Sequence, residues 1–332
     1  MRIVSLEEIK ASLPVVNLVD EIEQGFVAYS RGKSVVPPVG ELILADPPGE
    51  VHIKYGYIKG DDYYVIKIAS GFYDNRNLGL PAGNGMMLLF SQRTGEPIAI
   101  LHDEAYLTDI RTAVAGTISA KYLAPEHVSR IGIAGTGNQA RLQLEYLKPA
   151  TDCRKVLLWG RDPAKYDAYI DDMTSHGFEI ETTTDATDLL ANCNLIVTTT
   201  TATRPILVGE ARAGTHITAM GSDTPEKQEL DATLLAAADL VVADSISQCL
   251  ERGEIHQALK VDAVRREQLI ELGSIVAGDA PGRTSDDQVT IADLTGVAVQ
   301  DIQISKAVCE ALGLKGSEPG SDPIAPGVRA GL

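Results

Sequence analysis

The segment Val128-Ser-Arg-Ile-Gly-Ile-Ala-Gly-Thr-Gly-Asn-Gln-Ala140 decides the fold of this 332-residue chain. Ile131 to Ala134 form a short apolar run that predicts a buried strand, and the glycines after it lead directly into a helix beginning at Ala140. The pattern G-x-G-x-x-A between a strand and a helix is typical of a dinucleotide-binding turn. We therefore predict such a site here, with a purely structural turn as the alternative.

Each position of the glycine turn has an expected role. Gly135 makes the tight turn, Gly137 lets the backbone approach a pyrophosphate, and Ala140 keeps the helix close to the strand. The backbone N–H groups at the start of the helix hold the anion. We accordingly assign to the cofactor the residues Gly135, Thr136, Gly137, Asn138 and Gln139.

Strands and helices alternate after this turn, which predicts a doubly wound parallel sheet with ligand at the carboxyl ends of the strands. The predicted strands lie near Ile131, Val156–Trp159, Leu195–Thr199, Thr215–Ala219 and Leu240–Ala243. Before the turn, short connections between alternating segments predict a mostly antiparallel sheet preceded by two helices. The fold class is therefore α/β, with a Rossmann domain over residues 116–298 and an α+β substrate domain over residues 1–115 and about 299–314. Residues 315–332 are rich in Gly, Pro and Ser and predict a disordered tail.

Composition argues against several classes of function. The formal net charge is −17 and the pI is about 4.7, so the surface would repel nucleic acid and anionic membranes. No apolar run approaches the roughly 20 residues that span a bilayer, and residues 1–15 do not resemble a signal peptide. We expect a cytoplasmic protein. Cys153, Cys193, Cys249 and Cys309 are far apart and the histidines are scattered, so we predict buried, reduced thiols and no metal site.

The second strand of the parallel sheet is followed by Arg161 and Asp162, about 20 residues past the glycines, where the adenosine ribose is usually bound. An acidic residue favours NAD, whereas an arginine can accept the additional phosphate of NADP. We favour NAD, because the adjacent carboxylate of Asp162 raises the cost of binding a phosphate dianion; NADP remains the alternative.

Three charged residues are candidates for contact with a substrate. Lys67 points away from its apolar strand neighbours, and a solvated strand lysine is the alternative. Arg111 stands at the start of a helix predicted from Asp109 to Tyr122, and a surface cation is the alternative. Asp223 follows a predicted parallel strand, where such sheets place functional groups. Its alternative role is to cap a helix after Pro225.

These segments together resemble the ornithine cyclodeaminase/μ-crystallin family, which also contains alanine dehydrogenases and imine reductases. The resemblance rests on Lys67-Ile-Ala-Ser-Gly71, Thr108-Asp-Ile-Arg-Thr-Ala113, Gly135-Thr-Gly-Asn-Gln-Ala140, Gly221-Ser-Asp-Thr-Pro-Glu-Lys-Gln-Glu-Leu-Asp231 and Asp293-Leu-Thr-Gly-Val-Ala298. It implies a homodimer joined through the N-terminal domains, a nicotinamide cofactor on the second domain and a substrate between the two. We also assign to the cofactor four residues in these motifs or at predicted strand ends: Thr112, Thr199, Met220 and Gly221.

The resemblance also implies roles for the charged residues. Lys67 would touch the substrate carboxylate or the substituent on the reacting carbon, Arg111 would bind a carboxylate, and Asp223 would lie beside the reacting carbon. In the cyclodeaminases a glutamate precedes the motif lysine by about 13 residues and meets the distal amino group of ornithine, but here that position is Lys54. A cation there would repel an ammonium and attract a distal carboxylate.

The sequence departs from the family pattern at a second place. The family often has an arginine between the positions of Arg31 and Arg76, but none occurs there in this chain. We therefore predict an NAD(P)H-dependent reductase that converts a 2-imino acid into an L-amino acid. Its catalytic residues would be Lys67, which assists in polarising or protonating the imine, and Asp223, as the proton-handling carboxylate. Lys54 and His52 would bind a distal acidic group, which makes iminosuccinate, giving aspartate, the best specific substrate. The alternative for Lys54 is an ordinary solvated strand lysine. The alternatives are a cyclodeaminase-type ammonia lyase that uses NAD catalytically and a non-enzymatic binding protein like μ-crystallin.

Overall fold

The computed structural model describes residues 1–315, without the side chains of Val15, Tyr73 and Arg76. The predicted tail therefore lies, apart from Lys315, outside the described residues. The elements up to residue 123 are β1 (Arg2–Val4), α1 (Leu6–Ser12), α2 (Leu18–Ser30), β2 (Ser34–Val35), β3 (Gly40–Ala45), β4 (Pro48–Ile58), β5 (Tyr63–Gly71), β6 (Gly83–Ser91), β7 (Pro97–Leu101) and α3 (Tyr106–Leu123).

The first sheet has the order β1-β7-β6-β5-β4-β2, and β3 pairs with the remaining length of β4. All its pairs are antiparallel except β1 with β7, as the short connections predict. The register places Lys54 directly opposite Lys67, and His52 opposite Ala69. Residues opposite each other on paired strands point to the same side of a sheet, so these side chains share one face.

That face is the buried one. Val65, Met87 and Leu89 point the same way and pack, almost fully buried, in the core that the sheet forms with α2 and α3. The other face of the sheet is also apolar but half-exposed, since Tyr55 and Ile53 are 38% and 36% exposed. A sheet with two apolar faces needs a second covering layer.

The remaining elements follow in chain order. They are β8 (Ile131–Ala134), α4 (Asn138–Tyr146), β9 (Lys155–Trp159), α5 (Tyr166–Ser175), β10 (Glu179–Thr183), α6 (Thr187–Asn192), β11 (Leu195–Thr198), β12 (Thr203–Leu207), β13 (His216–Ala219), β14 (Gln228–Leu230), α7 (Ala232–Ala237), β15 (Leu240–Ala243), α8 (Ile246–Cys249), α9 (Gly253–Lys260), β16 (Leu269–Glu271), α10 (Leu272–Val276), β17 (Thr290–Asp293) and α11 (Ala298–Ala311).

Eight of these strands form a parallel sheet in the order β10-β9-β8-β11-β13-β17-β15-β16. The first five positions reproduce the doubly wound order, with the switch between β8 and β11 beside the glycine turn. The α/β class with a Rossmann-type domain is thus confirmed. After β17 the chain returns as α11, which packs on β4 and β5 and against α2.

Several boundaries differ from the sequence-based expectations. Helix α3 begins three residues before the predicted Asp109, because the Asp103 carboxylate accepts a hydrogen bond from Leu107 N (2.9 Å) and supports an earlier start. Helix α4 begins at Asn138 rather than Ala140. Strands β10, β12, β14, β16 and β17 were not predicted, since their three to five residues show little alternation.

Two further expectations need comment. Cys153 is half-buried, whereas the other three thiols are buried as predicted, and all four are free. The division into two domains stays a prediction, and its boundary after residue 115 falls within α3, which packs against both α2 and α4. No helix in the described part of the chain combines the length and hydropathy that a membrane crossing requires. The cytoplasmic location stays a prediction.

Candidate active site

A cleft of about 690 Å³ separates the inner face of the first sheet from the carboxyl ends of the parallel strands. The predicted substrate residues line it together with part of the predicted cofactor set: His52, Lys54, Lys67, Arg111, Asp223, Thr112, Gly137, Asn138, Gln139, Thr199 and Met220. The other five predicted cofactor residues do not line the cleft: Gly135, Thr136, Arg161, Asp162 and Gly221. The structure thus brings the charged residues and the glycine turn to one space, as expected for a ligand between two layers.

The glycine turn has the geometry that a dinucleotide needs. Gly135 adopts φ +129°, and a Cβ there would lie 2.5 Å from Thr199 Oγ1, so a side chain is excluded. Around Gly137, by contrast, no described atom lies within 4 Å of the position that a Cβ would take. This open space at the start of α4 fits a pyrophosphate against the helix N-terminus.

The side chains of Asn138 and Gln139 contact Asp109 of α3. Asn138 Nδ2 and Gln139 Nε2 donate to the Asp109 carboxylate at 2.7 and 3.0 Å. Burial raises the pKa of Asp109, while these hydrogen bonds lower it. The assignment of both residues to the cofactor, through their backbone N–H groups, stays a prediction; their side chains fasten the turn to α3.

The loops after β11 and β13 are joined by Glu229. Its carboxylate accepts hydrogen bonds from Thr198 Oγ1 (2.7 Å) and Gly221 N (2.9 Å) and also from Thr200 N. A Cβ on Gly221 would lie 2.1 Å from Thr200 O, so the two loops touch at this glycine. Glu229 therefore holds the loop carrying Thr199 against the loop that begins with Met220.

Arg161 and Asp162 follow β9, which pairs with β8 beside the glycine turn, so they lie where a ribose is expected. Both are exposed. The Asp162 carboxylate accepts from Ala164 N (3.2 Å), capping a short 3₁₀ turn, and lies 3.9 Å from Lys165 Nζ. Their contact with the cofactor stays a prediction.

Lys67 and Arg111 share one buried carboxylate that the sequence did not single out, that of Asp301 on α11. Lys67 Nζ lies 3.1 Å from it, and Arg111 Nε donates to Asp301 Oδ1 at 3.0 Å. Arg111 Nη1 also donates to Gln300 Oε1 at 2.8 Å. Lys67 is 2% exposed and Arg111 6%, so the alternatives of a solvated lysine and a surface cation are wrong.

Lys54 is buried beside them. Its ammonium donates to the carbonyl oxygens of Thr295 (3.1 Å) and Gly296 (2.6 Å), in the loop between β17 and α11. Asp244 holds this loop from the other side, since Gly296 N donates to its carboxylate at 2.6 Å. A Cβ on Gly296 would lie 3.0 Å from Lys54 Nζ and 2.8 Å from Arg111 Nη1, so both cations converge on this glycine.

Burial and crowding shift the ionisation of these groups. Burial, together with the neighbouring Arg111, lowers the pKa of Lys54 to about 8. Burial likewise lowers the pKa of Lys67 to about 7, although Asp301 opposes this shift. Burial would raise the pKa of Asp301, but Lys67 and Arg111 hold it below its usual value. The group therefore contains an ionised carboxylate and two lysines that titrate near neutral pH.

Asp223 lies on the opposite wall of the cleft, where it accepts from Lys227 Nζ at 2.6 Å. Burial would raise the pKa of Asp223, but Lys227 holds it below its usual value, so the group stays ionised. No helix follows Pro225 among the described residues before α7, so the helix-cap alternative is wrong. Burial lowers the pKa of His52, which faces Asp223 and Lys54.

The sequence analysis missed three residues that position the others: Asp301, Glu229 and Asp109. Glu229 and Asp109 lie within the quoted motifs, but their partners are distant in sequence and no local pattern identifies them. Asp301 does leave a signal, since it is an acidic residue in the first turn of a helix predicted to return to the first sheet, where a buried charge needs a partner. In the described residues no group of His, Cys, Asp or Glu is arranged to hold a metal ion.

Comparison with known proteins gives one family. The sequence model of the ornithine cyclodeaminase/μ-crystallin family matches residues 2–316. An uncharacterised cyclodeaminase of Sinorhizobium fredii is 42% identical, over 92% of this chain and 94% of its own. The alanine dehydrogenase of Archaeoglobus fulgidus is 34% identical over 93% and 94%. The iminosuccinate reductase of Paracoccus denitrificans is 33% identical over 95% and 98%.

Two solved structures have the same fold as this chain. The Δ(1)-pyrroline-2-carboxylate reductase of Thermococcus litoralis, in complex with NADH and L-proline, superposes with a TM-score of 0.87 at 25% identity, covering 96% of this chain and 100% of its own. An archaeal alanine dehydrogenase dimer with bound NAD has a TM-score of 0.85 at 30% identity, covering 96% and 98%.

The open space at Gly137 gives a direct test of the cofactor site. Gly137 has φ −82°, which any residue adopts, so Gly137→Val should leave thermal stability nearly unchanged. Its side chain would occupy the pyrophosphate space and should weaken NADH binding by about 100-fold or more, measured by fluorescence titration. Gly135→Ala is the contrasting variant, since its side chain would strain the fold and lower the melting temperature. Unchanged NADH affinity in Gly137→Val would remove the cofactor from this turn.

Proposed function

Because the chain belongs to the ornithine cyclodeaminase/μ-crystallin family, we propose that it is an NAD-dependent oxidoreductase that reduces a 2-imino acid to an L-amino acid. The observation that carries the proposal is the single cleft that joins the glycine turn to the buried cations Lys67 and Arg111. An imino acid carries a carboxylate next to its C=N bond, and a buried cation next to a hydride donor matches that arrangement. NAD is the cofactor named with the solved relatives.

Arg111 is suited to bind the substrate carboxylate. A guanidinium has five N–H donors in a fixed plane. Gln300 and Asp301 accept two of them, one from Nη1 and one from Nε, which fixes the plane and leaves donors for a ligand in the cleft. Preorganisation of this kind lowers the cost of orienting a substrate.

Lys67 and Asp223 have different roles in the proposed reaction. When bound, the cofactor supplies the hydride that reduces the C=N carbon. The nitrogen must be protonated for this reduction, and the Lys67 ammonium, with its pKa of about 7, suits the donation of that proton. Asp223 stays ionised, so its carboxylate would stabilise the resulting iminium cation rather than donate a proton. Lys67 then regains a proton from water.

Lys54 is the residue that supports a dicarboxylic substrate, and iminosuccinate is the best candidate. Lys67 and Arg111 share one carboxylate, so the cluster is already positive before Lys54 adds its charge. Its ammonium uses two donors on carbonyl groups, and a third donor is available to a ligand. A second substrate carboxylate would bring the negative charge that this group attracts.

One observation favours a second candidate, a monocarboxylic 2-imino acid. Lys54 Nζ and Arg111 Nη1 converge on Gly296, and two cations this close suit the binding of a single carboxylate. In this arrangement Lys54 would strengthen the grip on the carboxylate next to the imine and would not recognise a distal group. The relatives include both an iminosuccinate reductase and an alanine dehydrogenase.

The reaction can be tested with purified protein by following NADH oxidation with oxaloacetate, pyruvate or glyoxylate in the presence of ammonia. The proposal predicts net oxidation of NADH that depends on both the 2-oxo acid and ammonia. Ammonia release from ornithine without net NADH consumption would instead indicate the cyclodeaminase alternative, which Lys54 disfavours. Absence of both would leave the binding-protein alternative.

Asp223 is tested by Asp223→Asn, which keeps the shape and removes the charge. The neutral amide cannot stabilise an iminium cation by charge, so turnover should fall by a factor on the order of 10²–10³ while NADH affinity stays near that of the wild type. Glu226→Gln, an exposed change in the same loop, is the matched control and should leave turnover unchanged. Near-normal turnover of Asp223→Asn would exclude the proposed role.

Lys54 is tested by comparing substrates of different charge. A cation about 4 Å from a carboxylate, at an effective dielectric near 20, contributes about 4 kcal/mol before desolvation. Water would partly replace it, which leaves a net effect of about 2–3 kcal/mol. Lys54→Ala should therefore lower kcat/KM for iminosuccinate by about 30- to 150-fold and for iminopropionate much less.

The control for Lys54 is Lys59→Ala, an exposed lysine just past the end of the same strand, which should change neither rate. Equal losses of Lys54→Ala on both substrates would contradict the dicarboxylate proposal. They would show instead that Lys54 and Arg111 share one carboxylate.

The assembly we propose is a homodimer that covers the outer face of the first sheet. Tyr55 lies opposite Ile66 there, and Ile66 opposite Leu88, so apolar side chains form continuous rows across three strands. Tyr64 and Phe90 stack on the same face with ring centroids 4.9 Å apart. Exposed apolar faces of this extent are typical of interfaces, and a relative with this fold is described as a dimer.

Tyr55→Lys should disrupt this dimer, because it places a charge on the apolar face, at the end of the row that Tyr55 forms with Ile66 and Leu88. Light scattering should give the mass of a dimer for the wild type and of a monomer for the variant. Val261→Lys, which changes a 64% exposed apolar residue near the parallel sheet, should remain dimeric. A wild type that is monomeric at micromolar concentration would refute the assembly.

A further inference from the structure

Asp301 touches two of the proposed site residues without reaching the cleft. Its side chain is 1% exposed, and it is not among the described residues that line the cleft. Both carboxylate oxygens are engaged by cations: Arg111 Nε and Lys67 Nζ meet Oδ1, and Lys67 Nζ also lies 3.1 Å from Oδ2. A carboxylate placed in this way cannot contact a substrate, but it can determine where two cations lie.

The three partners come from elements far apart in sequence. Lys67 is on β5, Arg111 on α3, and Asp301 on α11, which returns to the first sheet after the whole parallel sheet has been formed. Arg111 is held at a second point by Gln300, the residue before Asp301. One turn of α11 therefore fixes both the guanidinium and the ammonium relative to the sheet.

We propose that Asp301 is a positioning residue that sets the geometry of Lys67 and Arg111 and favours the charged form of Lys67. This inference rests on the proposed reduction of a 2-imino acid. Through the guanidinium, Asp301 orients the donors that would bind the substrate carboxylate. Through the ammonium, it keeps Lys67 charged in a buried space that already contains two other cations.

The charges that face Lys67 come from every side of it. Asp301 and Asp103 are acidic, Arg111 and Lys54 are basic, and the residue opposite it on β6 is the uncharged Met87. Burial lowers the pKa of Lys67 to about 7, Asp301 raises it, and Arg111 and Lys54 lower it. Loss of the Asp301 charge therefore lowers the pKa of Lys67 further.

The lowered pKa of Lys67 predicts the direction in which the pH profile of activity moves. If Lys67 donates the proton, the active form is the protonated one, and activity declines as pH rises through its pKa. Asp301→Asn should move this alkaline decline in kcat/KM to lower pH by about 1 unit or more. It should also lower kcat/KM at the optimum by about 100-fold, because the guanidinium loses its charged partner and keeps only its hydrogen bond to Gln300.

The experiment compares wild type, Asp301→Asn, Asp301→Glu and a matched control. The control is Asp61→Asn, which removes the ion-pair partner of Lys306. Lys306 is on α11, like Asp301, but this ion pair lies outside the cleft. The control should keep the wild-type pH profile. Asp301→Glu, which keeps the charge, should keep the alkaline decline close to that of the wild type but raise KM.

A second readout does not depend on turnover. The affinity of L-alanine and L-aspartate for the protein with NADH, a pair that cannot react, should weaken about tenfold in Asp301→Asn while NADH binding is unchanged. If Asp301→Asn does not fold, Asp301→Glu decides: the inference expects a raised KM and weaker amino-acid binding. Wild-type values for both would overturn it.

Failure of this inference is distinguishable from failure of the proposed function. A wild type that does not oxidise NADH with any imine overturns the function. An active wild type with an unchanged alkaline decline and unchanged amino-acid affinity in Asp301→Asn overturns the role of Asp301 alone.

Discussion

The ion pairs of Asp301 with Lys67 and Arg111 are the interaction on which the site depends. Two strands place Lys54 and Lys67 directly opposite each other, and like charges in that position repel. Burial makes the repulsion stronger, because little water is present to screen it. The carboxylate from α11 offsets part of this repulsion and the carbonyl groups of Thr295 and Gly296 offset another part. An anionic substrate bound by these cations would offset the repulsion further.

The fold explains why these groups can meet. The parallel sheet supplies the cofactor turn and the loops of Met220 and Asp223 at the carboxyl ends of its strands, as such sheets do. The antiparallel sheet supplies Lys54 and Lys67 on its inner face. Helix α11, which closes the described chain on that face, carries the counter-charge. The cleft lies where three regions of the chain meet, and the proposed substrate recognition and hydride delivery would depend on their contacts.

The sequence predicted the fold class and most of the cleft, because both leave local patterns. The strand, glycine turn and helix around Gly135 are contiguous, and the short connections between the early strands indicate an antiparallel sheet. The pairing of Lys54 with Lys67 was not predicted and is seen only in the structure. Asp301 and Glu229 could not be assigned in this way, since each acts on partners that only the tertiary fold brings near. The burial of Lys67 and Arg111 was equally unpredictable from their neighbours, because it is the returning helix that covers them. The contact of Arg161 and Asp162 with a cofactor, and the two-domain boundary, stay predictions.

We propose that NADH bound in this cleft transfers a hydride to the carbon of an imine held by the buried cations. Isotope transfer tests it most directly, with NADH that carries deuterium at both C4 positions, oxaloacetate or pyruvate, and ammonia. We expect an L-amino acid with one deuterium on its α-carbon, and one molecule of it for each NAD⁺ produced. An amino acid without deuterium, or ammonia release from ornithine with no net change in NADH, would contradict it.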